Sequence, residues 1–160
     1  MEKKRAKLEL GIDPSQEYIL FSSSFENHIK NFPLARKALF YLPEISVMEI
    51  SGRTRLEVNL LINGAELLLM TSFTEGSPQI IKEAMACNCP IVATDVGDVR
   101  EVVKGTPGCF LTGFDPADVA EKIRLALAFN GRTNGREKIG HLDNRIIAKK
   151  IINVYKTVLN

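Results

Sequence analysis

No apolar run in this 160-residue chain approaches the roughly 20 residues needed to cross a bilayer. The start, Met1-Glu2-Lys3-Lys4-Arg5, is charged and has no hydrophobic stretch behind it, so neither a signal peptide nor an anchor is expected and a cytoplasmic location is read. Excess charge is also missing: the net charge is +2, and the basic residues are scattered rather than clustered with aromatics. That excludes a nucleic-acid-binding face as the leading function. Cysteine is limited to Cys87, Cys89 and Cys109, while His28 and His141 stand alone in sequence. A zinc site would lack its fourth ligand, so no metal is expected and the thiols are read as free and at least partly buried. No Gly-rich loop ending in Gly-Lys-Ser or Gly-Lys-Thr is present, which argues against P-loop ATP chemistry. A response-regulator-like signalling domain would need an acidic pair after its first strand, where this chain has Ser22, Ser23 and Ser24. There is no internal repeat and no low-complexity tract.

What is present is an ordinary globular composition, 45% apolar and 25% charged, long enough for one domain over residues 1–160 with a real core. The stretch from Leu67 to Asp95 organises it. Leu67-Leu68-Leu69-Met70 is an apolar run of strand length; Thr71 to Pro78 is a polar loop; a helix and a second strand, Ile91-Val92-Ala93-Thr94, follow. That order is strand, crossover helix, strand, the unit of a parallel sheet. Ser77 suits the helix N-cap and Pro78 the first helical position. Backbone N–H groups from Gly76 to Ile80 then lie at the positive end of the helix and favour an anion. Glu75 and Glu83 flank the same turn. Two carboxylates would repel a phosphate they touched, so they are better acceptors for neutral hydroxyls, of a ribose or a sugar ring. An anion joined to a polyol describes a sugar nucleotide.

The rest of the chain fits around this unit. Lys3 to Leu10 reads as a short helix closed by Gly11, Tyr18 to Phe21 as a strand buried on both faces, and Asn31 to Tyr41 as a helix burying Leu34, Ala38 and Leu42. Ser46 to Ile50 is a strand, and Arg55 to Asn63 a helix with Leu56, Leu60 and Leu61 inward. Asp98 and Glu101 have capping-box spacing. Gly108 to Thr112 is the last strand, followed by a helix with Val119, Ile123 and Leu127 on one side. Asn130 to Arg136 is read as a loop, with Arg132 and Arg136 as surface charges. Asp143 caps a final helix whose Ile147, Ile151, Val154 and Val158 form a stripe, read as core packing by default. Ile146, Ile152 and Leu159 widen that stripe and leave an interdomain contact open. The expected fold is α/β, a Rossmann-like open parallel sheet of about five strands with helices on both faces.

Glu75-Gly76-Ser77-Pro78, then Glu83-Ala84-Met85-Ala86, then Pro90-Ile91-Val92-Ala93-Thr94-Asp95-Val96-Gly97, resembles the donor-binding signature of retaining glycosyltransferases of the group 1 type, family 4. The resemblance covers nearly the whole chain but only the C-terminal, donor-binding half of such an enzyme, one of two Rossmann-like domains in the GT-B arrangement. It implies a nucleotide-diphosphate sugar as ligand, an N-terminal acceptor-binding domain absent from this chain, retention of configuration, and no cofactor or metal. Catalytic roles fall by resemblance on Glu75 and Lys30. Substrate binding falls on Ser24, Lys30, Glu75, Gly76, Ser77, Pro78 and Glu83, with Lys30 on the diphosphate, Glu83 on the ribose and Glu75 on the transferred sugar. The family usually has an arginine where Ser24 stands, so the diphosphate clamp here rests on Lys30 and serine hydroxyls. It also usually has a further strand before the Arg55 helix, which this chain lacks or has much reduced. The alternative function is a non-catalytic module that binds a nucleotide sugar or a partner protein through the same crevice.

Overall fold

The computed structural model describes residues 1–159. Its frame is set by short strands with almost no polar side chains. β1 (Tyr18–Phe21), β3 (Leu67–Met70) and β4 (Ile91–Thr94) are buried at every position. Strands of that kind need cover on both faces, which a parallel sheet with crossover helices provides. Two further strands, β2 (Ser46–Glu49) and β5 (Cys109–Thr112), complete a five-stranded sheet in the order β2-β1-β3-β4-β5. All pairs are parallel, with Leu20 beside Met48 and Leu68, and Val92 beside Leu69 and Phe110. The edge strands are the less buried ones.

Alternation along the strands divides the core in two. Tyr18, Leu20, Leu68, Met70, Ile91 and Ala93 face one layer, which includes α3 (Arg55–Gly64), α4 (Gln79–Ala86) and α5 (Val99–Val103). Ile19, Phe21, Leu67, Leu69 and Val92 face the other, made by α2 (Phe32–Leu39) and α6 (Pro116–Ala128). The N-terminal helix α1 (Lys3–Glu9) packs on α3, and Gly11 beyond it takes the left-handed conformation expected of a helix stop. Tyr18 and Cys89 are fully buried, and Tyr18 donates its hydroxyl proton to the Leu61 carbonyl at 2.9 Å. Burial pushes the Cys89 and Cys109 thiols up to about 12, so both stay protonated and inert. No helix among the described residues is long and apolar enough to cross a membrane.

Several local readings change. Helix α4 starts at Gln79, with Pro78 rather than Ser77 at the N-cap and no side-chain cap. The Ser77 hydroxyl is engaged elsewhere: it donates to Asp98 Oδ2 at 2.5 Å, and its oxygen accepts from the Lys82 ammonium. For the same reason Asp98 sits at the N-cap of α5 without capping it; its carboxylate faces Ser77 and, at 3.4 Å, Lys82. The reciprocal capping box forms instead at α3, between Thr54 and Glu57. Leu56, in the first turn of α3, is 68% exposed while Leu60 and Leu61 are buried.

The segment after α6 is no free loop. It crosses to the ends of α3 and α4 and includes a one-turn helix, α7 (Gly135–Lys138). Arg136 donates through Nε to the Ala86 carbonyl at 2.7 Å, and Arg132 reaches the Ile62 carbonyl at 3.4 Å. These arginines occupy carbonyls that helix ends leave unpaired. Gly135 is required there, since a Cβ would lie 2.8 Å from the Met85 carbonyl oxygen. The final helix, α8 (Asn144–Leu159), starts where Asp143 accepts from the Arg145 N–H at 2.8 Å, as expected of a cap. It buries none of its described residues, so its stripe is not core packing.

Candidate functional site

The strand order turns between β1 and β3: the chain steps outward to β2 on one side and to β4 and β5 on the other. Loops leaving the carboxyl ends of β1 and β3 therefore part around a crevice, the usual ligand position in an open parallel sheet. Those loops carry Ser22 to Lys30 and Thr71 to Pro78.

Buried hydroxyls tie them together. Thr71 Oγ1 lies 3.0 and 2.9 Å from the carbonyls of Lys30 and Asn31, and Thr94 Oγ1 donates to the Ser72 carbonyl at 2.7 Å. Phe73 N–H donates to the Ile29 carbonyl at 2.9 Å. Asn31 adopts a left-handed conformation, φ 54°, which turns the chain sharply from the Lys30 loop into α2. Gly97 presses on the Glu75 turn from the β4 side. With φ 58°, it would place a Cβ only 2.3 Å from the Gly76 carbonyl oxygen, which also accepts from the Asp98 N–H at 3.0 Å.

Within this frame Lys30 and Glu75 meet. Their Nζ–Oε1 distance is 2.5 Å, and their side chains are 21% and 13% exposed. Ser72 donates to the same Oε1 at 2.7 Å. Glu75 Oε2 makes no hydrogen bond among the described residues, and neither do the N–H groups of Gly76 and Ser77. An ammonium has three donors, so Lys30 keeps two after serving Glu75. The pair also cancels the carboxylate charge that would otherwise repel an anion placed beside it. The site thus offers cationic and N–H donors together with one free carboxylate oxygen.

The other expected residues are more dispersed. Ser24 Oγ accepts from the Glu26 N–H at 3.2 Å, serving its own turn, and Pro78 is buried beneath the start of α4. Glu83 is exposed. It lines a separate groove of about 450 Å³ with Gln79, Arg136, Asp143 and Asn144. Reasoning from residues alone missed Ser72, which orients Glu75, and Glu49, whose carboxylate accepts from the Phe25 N–H at 2.6 Å and holds the β1 loop. It also missed Phe73 and Phe114, exposed rings stacked 5.8 Å apart at the same edge of the sheet. A hydroxyl at the end of a buried strand was the available signal for Ser72; the aromatics had none, because the loops bearing them are far apart in sequence.

Comparison with known proteins identifies the family and the fold. The family model described as glycosyl transferases group 1 matches residues 18–128. A D-inositol 3-phosphate glycosyltransferase from Geodermatophilus obscurus is 40% identical over 91 residues, 56% of this chain and 18% of that protein. Among solved structures, sucrose-phosphate synthase from Thermosynechococcus elongatus superposes with a TM-score of 0.82, over 99% of this chain and 51% of its own, at 17% identity. Anabaena HepE, solved in complex with UDP and glucose, gives 0.76 over 96% and 51%, at 18% identity. At such identities the likeness is one of fold. The chain spans about half the length of these two solved structures.

Proposed function

This chain belongs to the group 1 glycosyltransferases, and we propose that it is the part of such an enzyme that binds a nucleotide-diphosphate sugar as donor. The observation that carries the proposal is the Lys30–Glu75 pair at the crevice between β1 and β3, beside the open N–H groups of Gly76 and Ser77. Lys30 and the two N–H groups hold the diphosphate. Glu75, fixed by Lys30 and Ser72 through one oxygen, presents the other to a hydroxyl of the transferred sugar. Glu83, on the second turn of α4, takes the ribose hydroxyls.

In this reading the chain's chemical work is orientation and charge stabilisation. As the glycosidic bond to the diphosphate breaks, negative charge grows on the leaving oxygen, and the fixed Lys30 ammonium and backbone donors stabilise it. They need little rearrangement, because Thr71, Thr94 and Gly97 already hold both loops. Retention of configuration is what family resemblance implies for the transfer. The acceptor side and the rest of the reacting centre belong to a second domain in this reading, so the chain alone is expected to bind donor without transferring sugar. HepE was solved with UDP and glucose, which makes uridine the first base to try.

Calorimetry with UDP, GDP and ADP, without added metal, tests the proposal. One of them should bind, and at a hundredfold excess over its Kd should stabilise the fold by about 2.7 kcal/mol. Lys30→Ala should weaken that ligand by roughly 1.5–3 kcal/mol, the value of a hydrogen bond to a charged group. No binding of any of the three at millimolar concentration would remove the donor assignment.

A further inference from the structure

Helix α2 and the turn after it have two faces. Leu34, Ala35, Ala38 and Leu42 are buried against the sheet, while Pro33, Arg36, Lys37, Phe40 and Tyr41 recur at helical spacing on the other side and are all exposed. Phe40 is 85% exposed and Tyr41 53%, with their rings nearly perpendicular and 6.4 Å apart. A single exposed apolar side chain is ordinary. Two adjacent aromatic rings left in water mark a surface with a partner.

Charge around the rings has one sign. α2 contains no acidic residue, and Arg36 and Lys37 occupy the turn before Phe40. From α6, Arg124 donates to the Tyr41 carbonyl at 3.3 Å. None of these three cations forms an ion pair among the described residues. Glu121, an exposed carboxylate on α6, lies 3.9 Å from Lys122. Together with Pro116 the basic and aromatic side chains of α2 and its following turn line a cavity of about 460 Å³. Basic residues that look scattered along the sequence are thus gathered around aromatics by the packing of α2 on α6.

We propose that this face docks on an anionic lipid surface, with Phe40 and Tyr41 in the headgroup layer and Arg36, Lys37 and Arg124 on the phosphates. A tyrosine suits that layer because its ring is apolar and its tip is polar. Arginine and lysine lay their stems along the apolar surface and keep their charges at the headgroups. Rings and cations are two separate signals, and surface attachment needs more than one. A lipid layer accepts a protruding ring without a matching pocket, which favours it over an acidic peptide: Phe40 is the most exposed large apolar side chain among the described residues.

Co-sedimentation of the chain with vesicles tests the proposal, using phosphatidylcholine alone and an equimolar mixture with phosphatidylglycerol. The chain should sediment with the mixed vesicles only, and rising salt should release it, because exposed charges are screened over about 8 Å at physiological ionic strength. Arg36→Gln and Lys37→Gln should each weaken partition about fivefold, and Phe40→Ala roughly tenfold. Lys4→Gln removes the same charge from α1, which packs on α3 in the opposite layer, and should change little. The chain has no tryptophan, so Phe40→Trp provides a single reporter whose emission should move to shorter wavelength on the mixed vesicles. No sedimentation with the mixed vesicles, or equal losses for Lys4→Gln and Arg36→Gln, would overturn the proposal. So would vesicle binding that falls in Ile151→Lys and not in Phe40→Ala, which would put the lipid contact on α8. Binding of poly-glutamate without binding of vesicles would make the partner an acidic protein segment and refute the lipid.

Discussion

Helices α6 and α8 have the same design in sequence and opposite fates in the structure. Each carries an apolar stripe at helical spacing: Val119 and Ile123 on α6, Ile147, Ile151, Val154 and Val158 on α8. On α6, Val119 and Ile123 are fully buried and Ala120 and Ala126 nearly so. On α8, Ile151 is 50% exposed, Val154 63% and Val158 77%. Periodicity states which residues share a face; it does not state whether another surface meets that face. α6 follows β5 directly and lies back over the sheet, secured at its start by Asp115, which accepts from the Ala117 N–H, and by Asp118, which accepts from Thr112. α8 is reached through a short turn over Gly140–Leu142 and lies beyond the sheet's reach.

Truncation at the centre of each stripe should separate the two helices most strongly. Ile123→Ala removes a fully buried branched side chain from the layer formed with α2, and should cost about 2–5 kcal/mol in urea unfolding. A loss below about 1 kcal/mol would mean that α6 is as loosely held as α8, and the contrast would collapse.

A smaller effect concerns how α6 is attached. Hydrogen bonds from the Thr112 hydroxyl, at 2.7 Å, and the Gly113 N–H, at 2.9 Å, hold the Asp118 carboxyl below the usual carboxylate range. A folded-state pKa lower than the unfolded one stabilises the fold above the unfolded value and ceases to do so as pH falls through the folded value. Asp118→Asn should therefore lower Tm slightly at neutral pH, and the gap from wild type should close below about pH 4. A gap that stays constant from neutral to strongly acidic pH would show that the Asp118 charge does not help to anchor α6.

Similar reasoning explains what could be read from the residues and what could not. The doubly buried runs at Tyr18, Leu67 and Ile91 left no alternative to a parallel sheet, and the strand order then brought Lys30 to Glu75. Caps were less legible. Ser77 had the right chemistry for its own helix and gave its hydroxyl to Asp98, a competitor from another loop that no local rule considers. Gly97 was visible as a motif residue, but its close approach to the Gly76 carbonyl depends on packing between loops. Arg136 is exposed, as a surface charge is expected to be, but its bond to the Ala86 carbonyl and that of Arg132 to Ile62 depend on the segment carrying them crossing the ends of α3 and α4. In each case the missing information was which distant backbone would arrive beside the residue. Local pattern does not carry that.

The smallest expected effect is the sharpest test of the contrast. Ile151→Lys places a charge at the middle of the α8 stripe, a change that in α6 would bury an unpaired ammonium and unfold the layer. On α8 the side chain already meets water, and lysine is as good a helix former as isoleucine or better. Unfolding free energy should therefore stay within about 0.5 kcal/mol of wild type, as for surface changes that disturb no packed or capped group. Amide exchange along Asn144–Leu159 should also be fast in both proteins, since few tertiary contacts protect the helix. If Ile151→Lys instead costs several kcal/mol in a monomeric sample, α8 is folded against the rest of the chain in solution and its stripe is core after all. If the cost appears only at concentrations where the wild type associates, the stripe is covered by a second copy. A change near zero at every concentration leaves α8 as an uncovered surface, the opposite of α6 despite the shared pattern.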